Sequence, residues 1–203
     1  MLSRPGSRPS RERNGKGRTV TITLVLGGAR SGKSAYAEAL ALGTGRQVCY
    51  IATASAGDDE MARRIEHHRQ RRPDAWTTVE EPIRLAEAIG EHAGENQVVL
   101  VDCLTLWLSN LIFSDAAAFP ETGVITLPAR FGTERERLLT ALARPKGDVI
   151  LVSNEVGMGI VPVGALTRCF ADEAGRLNQA VAAIADRVVL VAAGLPLALK
   201  GAT

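Results

Sequence analysis

Residues 19–34 read TVTITLVLGGARSGKS, in which a β-branched, aliphatic run leads directly into a glycine-rich stretch. The letters GGARSGKS match the pattern G-x-x-x-x-G-K-[ST], which forms a phosphate-binding loop when a strand precedes it and a helix follows it. Glycine lets the backbone curl so that successive N–H groups meet phosphate oxygens, and a helix predicted over 33–42 adds the positive end of its dipole. A chance glycine-rich turn is the alternative. We predict a nucleotide site at Gly27, Gly28, Ala29, Arg30, Ser31, Gly32, Lys33 and Ser34.

Two oxygen-bearing side chains in and near this loop predict a bound Mg²⁺ ion. In loops of this pattern the lysine, here Lys33, reaches the terminal phosphates, and the next hydroxyl, here Ser34, is a ligand to Mg²⁺. The run QVVLVD ends in Asp102 at the C-terminal tip of a predicted strand, where P-loop enzymes hold the carboxylate of the magnesium shell. Many strands end in an aspartate with no such role, so Asp102 indicates a metal site only together with the loop.

The rest of the chain repeats the alternation of strand and helix. Four further aliphatic runs have the nearly continuous hydrophobicity of strands that are covered on both faces. They are QVCYIAT (47–53), QVVLVD (97–102), DVILVSN (148–154) and RVVLVAA (187–193). Residues 103–113 and 164–186 have apolar residues at helical spacing instead. This order predicts an α/β fold of the P-loop NTPase type, a mostly parallel sheet with helices on both faces, in a single domain over 20–203. Residues 114–132 have no clear period and are predicted to form a long loop, a candidate lid.

Charge and composition narrow the class of protein. The chain of 203 residues is long enough for one well-buried domain. Residues 1–19 carry six basic residues and one acidic residue, a net charge of +5, whereas the remainder has a net charge of −3. This basic tail is predicted to be disordered; a solubilising extension is its simpler interpretation, and a nucleic-acid-binding arm is the alternative. We expect no nucleic acid partner and, because no stretch has about 18 uninterrupted apolar residues, no membrane segment.

The cysteines indicate the redox compartment. Cys49, Cys103 and Cys169 are odd in number, widely spaced and in apolar surroundings. They are therefore predicted to be buried free thiols in a reducing cytoplasm rather than a disulfide set or a metal site.

Two of the three histidines are adjacent, in DDEMARRIEHHRQRRP (58–73). An aspartate at the start of this segment can cap a helix that runs to about residue 69. On such a helix His68 shares a face with Met61 and Ile65, whereas His67 lies on the charged face. A neutral imidazole is a good nucleophile near pH 7, so His67 can attack the α-phosphorus of a triphosphate while the neighbouring arginines stabilise the phosphate charge. The alternative is a solvent-exposed helix end with no chemistry.

Several stretches together resemble one known family. They are GGARSGKS (27–34), YIATASAGDDEMARRIEHHRQRRP (50–73), VDC (101–103), SNEVGMGIVP (153–162) and GRLNQ (175–179). Their order and spacing are similar to those of the bifunctional adenosylcobinamide kinase/adenosylcobinamide-phosphate guanylyltransferase family of cobalamin biosynthesis, from about Thr21 to Lys200. The resemblance implies that adenosylcobinamide is phosphorylated with ATP or GTP. It also implies that GMP is then transferred from GTP to adenosylcobinamide phosphate through a guanylylated histidine, giving adenosylcobinamide-GDP.

The same resemblance implies roles for individual residues. His67, the first of the pair, would carry the GMP, in agreement with its place on the charged face. Glu80 and Asp102 would make further nucleotide or metal contacts, with Ser34 and Asp102 at the Mg²⁺ ion; some relatives have glutamate at position 102, which keeps the carboxylate. The family also implies a homotrimer with sites near the subunit boundaries. The remaining residues beside the nucleotide would be Ala54, Ser55, Ala56, Arg72, Pro73, Asp74 and Ala75.

Some alternatives stay open in the sequence. Asn154 and Glu155 follow a predicted strand, and either a substrate- or water-positioning role or a plain turn held by Asn154 and Gly157 fits them. A small-molecule kinase without nucleotidyl transfer, in which His67 only binds phosphate, is the alternative function. A small GTPase is disfavoured because the chain has no N-K-x-D motif.

Overall fold

The sheet has seven strands, and the phosphate-loop strand lies inside it. A computed structural model describes residues 20–54, 73–115 and 119–201. The strands are β1 (Ile22–Gly27), β2 (Gln47–Ala52), β3 (Thr77–Glu80), β4 (Gln97–Asp102), β5 (Asp148–Asn154), β6 (Arg187–Ala192) and β7 (Leu195–Lys200). Their order is β3–β2–β4–β5–β1–β6–β7, and every neighbouring pair is parallel except β6 with β7. The predicted mostly parallel sheet is confirmed.

Helices cover both faces of this sheet. They are α1 (Lys33–Gly43), α2 (Leu85–His92), α3 (Leu104–Ile112), α4 (Ala129–Ala143) and α5 (Ala165–Ile184). On one face α1 packs through Ala37 and Ala41 on the buried residues of β1, β4, β5 and β6. On the other face the remaining four helices share a larger core, in which Trp107 and Leu138 are fully buried. The predicted single α/β domain with helices on both faces is therefore confirmed.

The predicted strands agree closely with the observed ones. The runs at 97–102 and 148–154 coincide with β4 and β5, and those at 47–53 and 187–193 are one residue longer than β2 and β6. The first strand begins at Ile22 rather than at residue 19. The edge strands β3 and β7 were not predicted. The predicted loop over 114–132 is wrong at its end, because α4 begins at Ala129 and buries Phe131 against the core.

The thiol prediction needs one correction. All three cysteines are free, and Cys49 and Cys103 are buried, but Cys169 is only half-buried because it lies on the partly exposed side of α5. In the described ranges no helix combines the length and the apolar character that crossing a membrane requires. The basic tail over 1–19 and the predicted helix with His67 lie outside the described residues.

Candidate nucleotide site

The carboxyl ends of the parallel strands bring several predicted site residues to one edge of the sheet. Gly27 ends β1 and is in register with Asn154, the last residue of β5. Asp102 ends β4, two strands away from β1, and is in register with Ala52 of β2. Glu80 ends β3 and also pairs with Ala52. Because neighbouring strands are about 4.8 Å apart, Asp102 lies about 10 Å to the side of Gly27 along this edge.

The phosphate loop, residues 27–34, connects the end of β1 to the start of α1, as its pattern requires. Gly32 occupies the N-cap position of α1 with φ 93°, a left-handed conformation, and Arg30 is also left-handed with φ 56°. Within the described residues no side chain caps the helix, and its first turn has no acidic residue. The first N–H groups are thus left to bind another acceptor, and no acidic side chain of the first turn neutralises the positive end of the helix dipole. Both features give the loop the electrostatics of an anion site.

The first two glycines of the loop have opposite surroundings. A Cβ atom on Gly27 would lie 2.4 Å from Ser31 Oγ and 2.6 Å from Val191 O, so the loop packs tightly against β6 at this point. A Cβ atom on Gly28 would meet no atom of the described residues within 4 Å. The loop is therefore closed on the β6 side of Gly27 and open at Gly28.

The lysine of the motif bends back over the loop. Lys33 Nζ donates a hydrogen bond to Gly28 O at 3.2 Å, and both Lys33 and Ser34 are half-buried. An ammonium group has three donors, so this contact fixes the position of the charge and leaves protons for phosphate oxygens. The arrangement suits the predicted role of Lys33.

Asp102 is held by a tyrosine that sequence analysis missed. Tyr50 OH donates to Asp102 Oδ2 at 3.0 Å, and the Trp76 ring stacks on the Tyr50 ring with centroids 6.3 Å apart. The other carboxylate oxygen has no partner among the described residues. Carboxylate and hydroxyl oxygens are ligands that Mg²⁺ prefers, so Asp102 and Ser34 fit the ion. Elsewhere in the described ranges no group of three or more His, Cys, Asp or Glu side chains is placed to hold a metal.

A hydrogen-bonded network behind Asp102 joins the ends of three strands. Thr53 Oγ1 accepts a hydrogen bond from Cys103 N–H at 2.9 Å and donates to Cys103 O at 2.7 Å. Asn110 Nδ2, on α3, donates to Thr53 O at 2.7 Å. Asn154 Nδ2 donates to Thr105 Oγ1 at 2.6 Å. The ends of β2, β4 and β5 are thus tied to one another around Asp102.

The two buried thiols, Cys49 and Cys103, are not nucleophiles at neutral pH. Burial raises the pKa of Cys103 to about 11, and the charge of Asp102 adds to this shift. Burial likewise raises the pKa of Cys49 to about 11. A thiol reacts as its thiolate, so neither cysteine is available for covalent catalysis near pH 7.

Asn154 and Glu155 are both engaged in local structure. Asn178 Nδ2 donates to Asn154 O at 3.2 Å, while the Asn154 amide contacts Thr105 as described above. Glu155 Oε1 accepts a hydrogen bond from Gly157 N–H at 2.8 Å. These contacts favour the turn interpretation over a substrate-positioning role.

The remaining predicted residues are not all brought together. Ala54 is half-buried, two residues after the end of β2, at this edge of the sheet. Pro73, Asp74 and Ala75 are exposed and precede β3, whose first residue lies about 10 Å back from that edge. The chain leads from them into Trp76, which stacks on Tyr50. The predicted residues Ser55, Ala56, His67 and Arg72 lie outside the described ranges.

Comparison with known proteins gives one family. The family described as cobinamide kinase / cobinamide phosphate guanyltransferase matches residues 23–199. The bifunctional adenosylcobalamin biosynthesis protein CobP of Pseudomonas aeruginosa is 52% identical over 178 residues, which cover 88% of this chain and 96% of that protein. The corresponding protein CobU of Escherichia coli is 48% identical over 181 residues, covering 88% of this chain and 99% of that protein.

Similarities to solved structures are more distant. The RadB recombinase has a TM-score of 0.45 at 16% identity, over 86% of this chain and 76% of that chain. The type III secretion ATPase EscN of enteropathogenic E. coli has a TM-score of 0.49 at 14% identity, over 86% of this chain and 43% of that chain. These structural similarities are too distant to bear on function.

Proposed function

The chain belongs to the cobinamide kinase/cobinamide phosphate guanyltransferase family, and we propose that it catalyses both reactions at the edge of the sheet where β1 and β4 end. Adenosylcobinamide is first phosphorylated with ATP or GTP, and GMP is then transferred from GTP to the product to give adenosylcobinamide-GDP. The observation that carries the proposal is the family match over 23–199, which includes a phosphate loop with its strand and helix in place.

In the kinase step the phosphate loop holds the triphosphate. The hydroxyl of the aminopropanol arm of adenosylcobinamide attacks the γ-phosphorus and releases its proton to solvent, and the bond from that phosphorus to the β,γ-bridging oxygen breaks. The nucleoside diphosphate leaves with the bridging oxygen. The Lys33 ammonium, held against Gly28 O, neutralises charge on the terminal phosphates, and the uncapped start of α1 adds its N–H groups.

We propose that Mg²⁺ binds at this site together with the nucleotide. Ser34 and Asp102 would hold the ion, which when bound neutralises phosphate oxygens. The Tyr50 hydroxyl occupies one oxygen of the Asp102 carboxylate and so orients the other oxygen for the metal.

In the transfer step the nucleophile is His67. Its imidazole nitrogen attacks the α-phosphorus of GTP, the bond to the α,β-bridging oxygen breaks, and pyrophosphate leaves. A phosphate oxygen of adenosylcobinamide phosphate then attacks the same phosphorus and displaces the imidazole. Cys49 and Cys103 are neutral near pH 7, so neither of these two thiols takes the place of the histidine as nucleophile. His92, the one histidine in the described ranges, ends α2 shortly before β4 begins, at the edge of the sheet opposite Gly27.

The transfer step is tested with GTP labelled on the α-phosphate. The parent protein is expected to retain label after denaturation, and the label should be released by acid but not by alkali, as a phosphoramidate to histidine requires. His67→Asn should lose the label and keep kinase activity, whereas His92→Asn, the matched control, should retain both. A parent protein that phosphorylates adenosylcobinamide but never takes up label contradicts the transferase half and favours the simple kinase.

We further propose that the enzyme is a homotrimer that works in the cytoplasm with small-molecule partners and no nucleic acid. The free cysteines support a reducing compartment. The edge strand β7 supports assembly, because Leu195 and Leu197 lie on one side of it and are 72% and 59% exposed. Leu197→Lys is expected to give a smaller species than the parent in sedimentation equilibrium. A parent protein that sediments as a monomer contradicts the trimer.

A further inference from the structure

The hairpin formed by β6 and β7 contacts the phosphate loop through its tip. Ala192 pairs with Leu195, so the turn consists of Ala193 and Gly194 alone. Both have positive φ, 51° and 78°, which is the signature of a type I′ turn. From this tip Gly194 N–H donates a hydrogen bond to Ser31 O, in the middle of the phosphate loop, at 2.8 Å.

This hydrogen bond fixes the orientation of one peptide group in the loop. In a trans peptide the C=O of one residue and the N–H of the next point in opposite directions. Because Ser31 C=O is directed at the hairpin, Gly32 N–H is directed away from it. Gly32 is the N-cap residue of α1, at the helix end where N–H groups meet an anion.

The contact is close and needs glycine in the loop. A Cβ atom on Gly32 would lie 3.2 Å from Gly194 Cα. On the β5 side of β1, Glu155 N–H donates to Gly27 O at 3.1 Å. Two hydrogen bonds therefore hold the loop. One runs from the end of β5 to Gly27, and the other runs from the hairpin tip to Ser31.

We propose that Gly194 is a positioning residue for the nucleotide. Its backbone N–H holds the Ser31–Gly32 peptide so that Gly32 N–H faces the phosphate oxygens of a bound nucleoside triphosphate. The inference rests on the proposed function and extends it to a residue outside the sequence motif. The contact is the same in the bound substrate and in the transition state, so it acts on nucleotide affinity and leaves kcat at saturating nucleotide nearly unchanged.

The test compares three substitutions at two exposed glycines. Gly194→Val disfavours the left-handed conformation and so displaces the N–H. Gly194→Asn is the rescue variant, because asparagine tolerates positive φ and keeps the N–H. Gly45→Val is the matched control, because Gly45 also has positive φ, 66°, and no atom of the residues that the structure describes within 4 Å of its Cβ, but lies at the far end of α1.

The affinity for GTP is measured by calorimetry, together with KM and kcat of the kinase and the melting temperature. Gly194→Val should bind GTP about three- to tenfold more weakly, the effect of losing one hydrogen bond, with KM raised and kcat retained. Gly194→Asn and Gly45→Val should bind within about twofold of the parent.

Two results would overturn the positioning role alone. One is GTP binding by Gly194→Val equal to that by Gly45→Val, and the other is an equal loss in Gly194→Asn and Gly194→Val. Failure of the unsubstituted protein to bind GTP overturns the proposed function and this inference with it, which separates the two failures.

Discussion

Replacing Gly27 by alanine is the sharpest perturbation that the structure offers. The added Cβ would lie 2.4 Å from Ser31 Oγ and 2.6 Å from Val191 O. The Ser31 hydroxyl can rotate away, but Val191 O belongs to β6 at the point where Val191 is in register with Gly27. The clash with Val191 O is therefore relieved only if the loop shifts or if β1 and β6 move apart. Overpacking of this kind costs about 1–3 kcal/mol of unfolding free energy.

The expected loss has a size that standard measurements detect. For a chain of this length, about 1 kcal/mol shifts the melting temperature by about 2–4 °C, so Gly27→Ala should melt about 2–12 °C below the parent. Urea unfolding followed by circular dichroism gives the free energy directly, and GTP binding should weaken because the start of the loop is displaced. Gly28→Ala is the matched control, since its Cβ meets no described atom within 4 Å, and it should stay within about 0.5 kcal/mol of the parent. Equal stability of the two variants would refute the close-packing argument.

Three further predictions concern stability and metal dependence. Tyr50→Phe removes the donor to Asp102, so the unfolding free energy should fall by about 1.5 kcal/mol and the kinase should need more Mg²⁺ for half-maximal rate. Urea unfolding and a Mg²⁺ titration measure this, and no change in either contradicts the role of Tyr50. Folding raises the pKa of Cys103 from 9.0 to about 11. The neutral thiol therefore makes its full contribution to the unfolding free energy below pH 9, and this contribution is lost by about 1.4 kcal/mol per pH unit as the pH rises toward 11. Between pH 9 and pH 11 the unfolding free energy of Cys103→Ala should therefore fall less steeply with pH than that of the parent, by that amount. Cys169→Ala, at a half-buried site, should change this slope less. Ala193→Asn suits positive φ better and should raise the unfolding free energy by about 0.5–1 kcal/mol; a lower melting temperature counts against the assigned turn.

The central strands and the phosphate loop were predictable because their signals are local. Strands β1, β4, β5 and β6 are covered on both faces, so each is a continuous aliphatic run in the sequence. The edge strands lack that signal: TTVE (77–80) is polar, and LPLALK (195–200) is exposed along almost its whole length and contains a proline. The start of α4 was assigned to a loop because residues 114–132 have no clear period and contain two prolines and two glycines. The burial of Phe131 in the core, which favours the helix, is a tertiary contact that no local pattern shows.

The partners of the site residues could not be predicted from the sequence. Tyr50 reaches Asp102 only because β2 lies beside β4, and the contact of Asn154 with Thr105 depends on β5 lying beside β4. Strand order is a property of the whole fold, and no local pattern encodes it. The same holds for Gly194, which the sequence patterns did not indicate. It contacts Ser31 of the phosphate loop although the two residues are far apart in the sequence.

The pairing of β1 with β6 has a consequence for synthesis on the ribosome. Residues 27–34 leave the exit tunnel early, but β6 and the tip at 193–194, which complete their surroundings, are translated more than 150 residues later. Until then one side of β1 has no neighbour, and the loop lacks its contact with the turn. A nascent chain stalled before residue 187 should consequently not bind GTP. Guanine nucleotide in the cell can then favour folding only after translation has passed that residue.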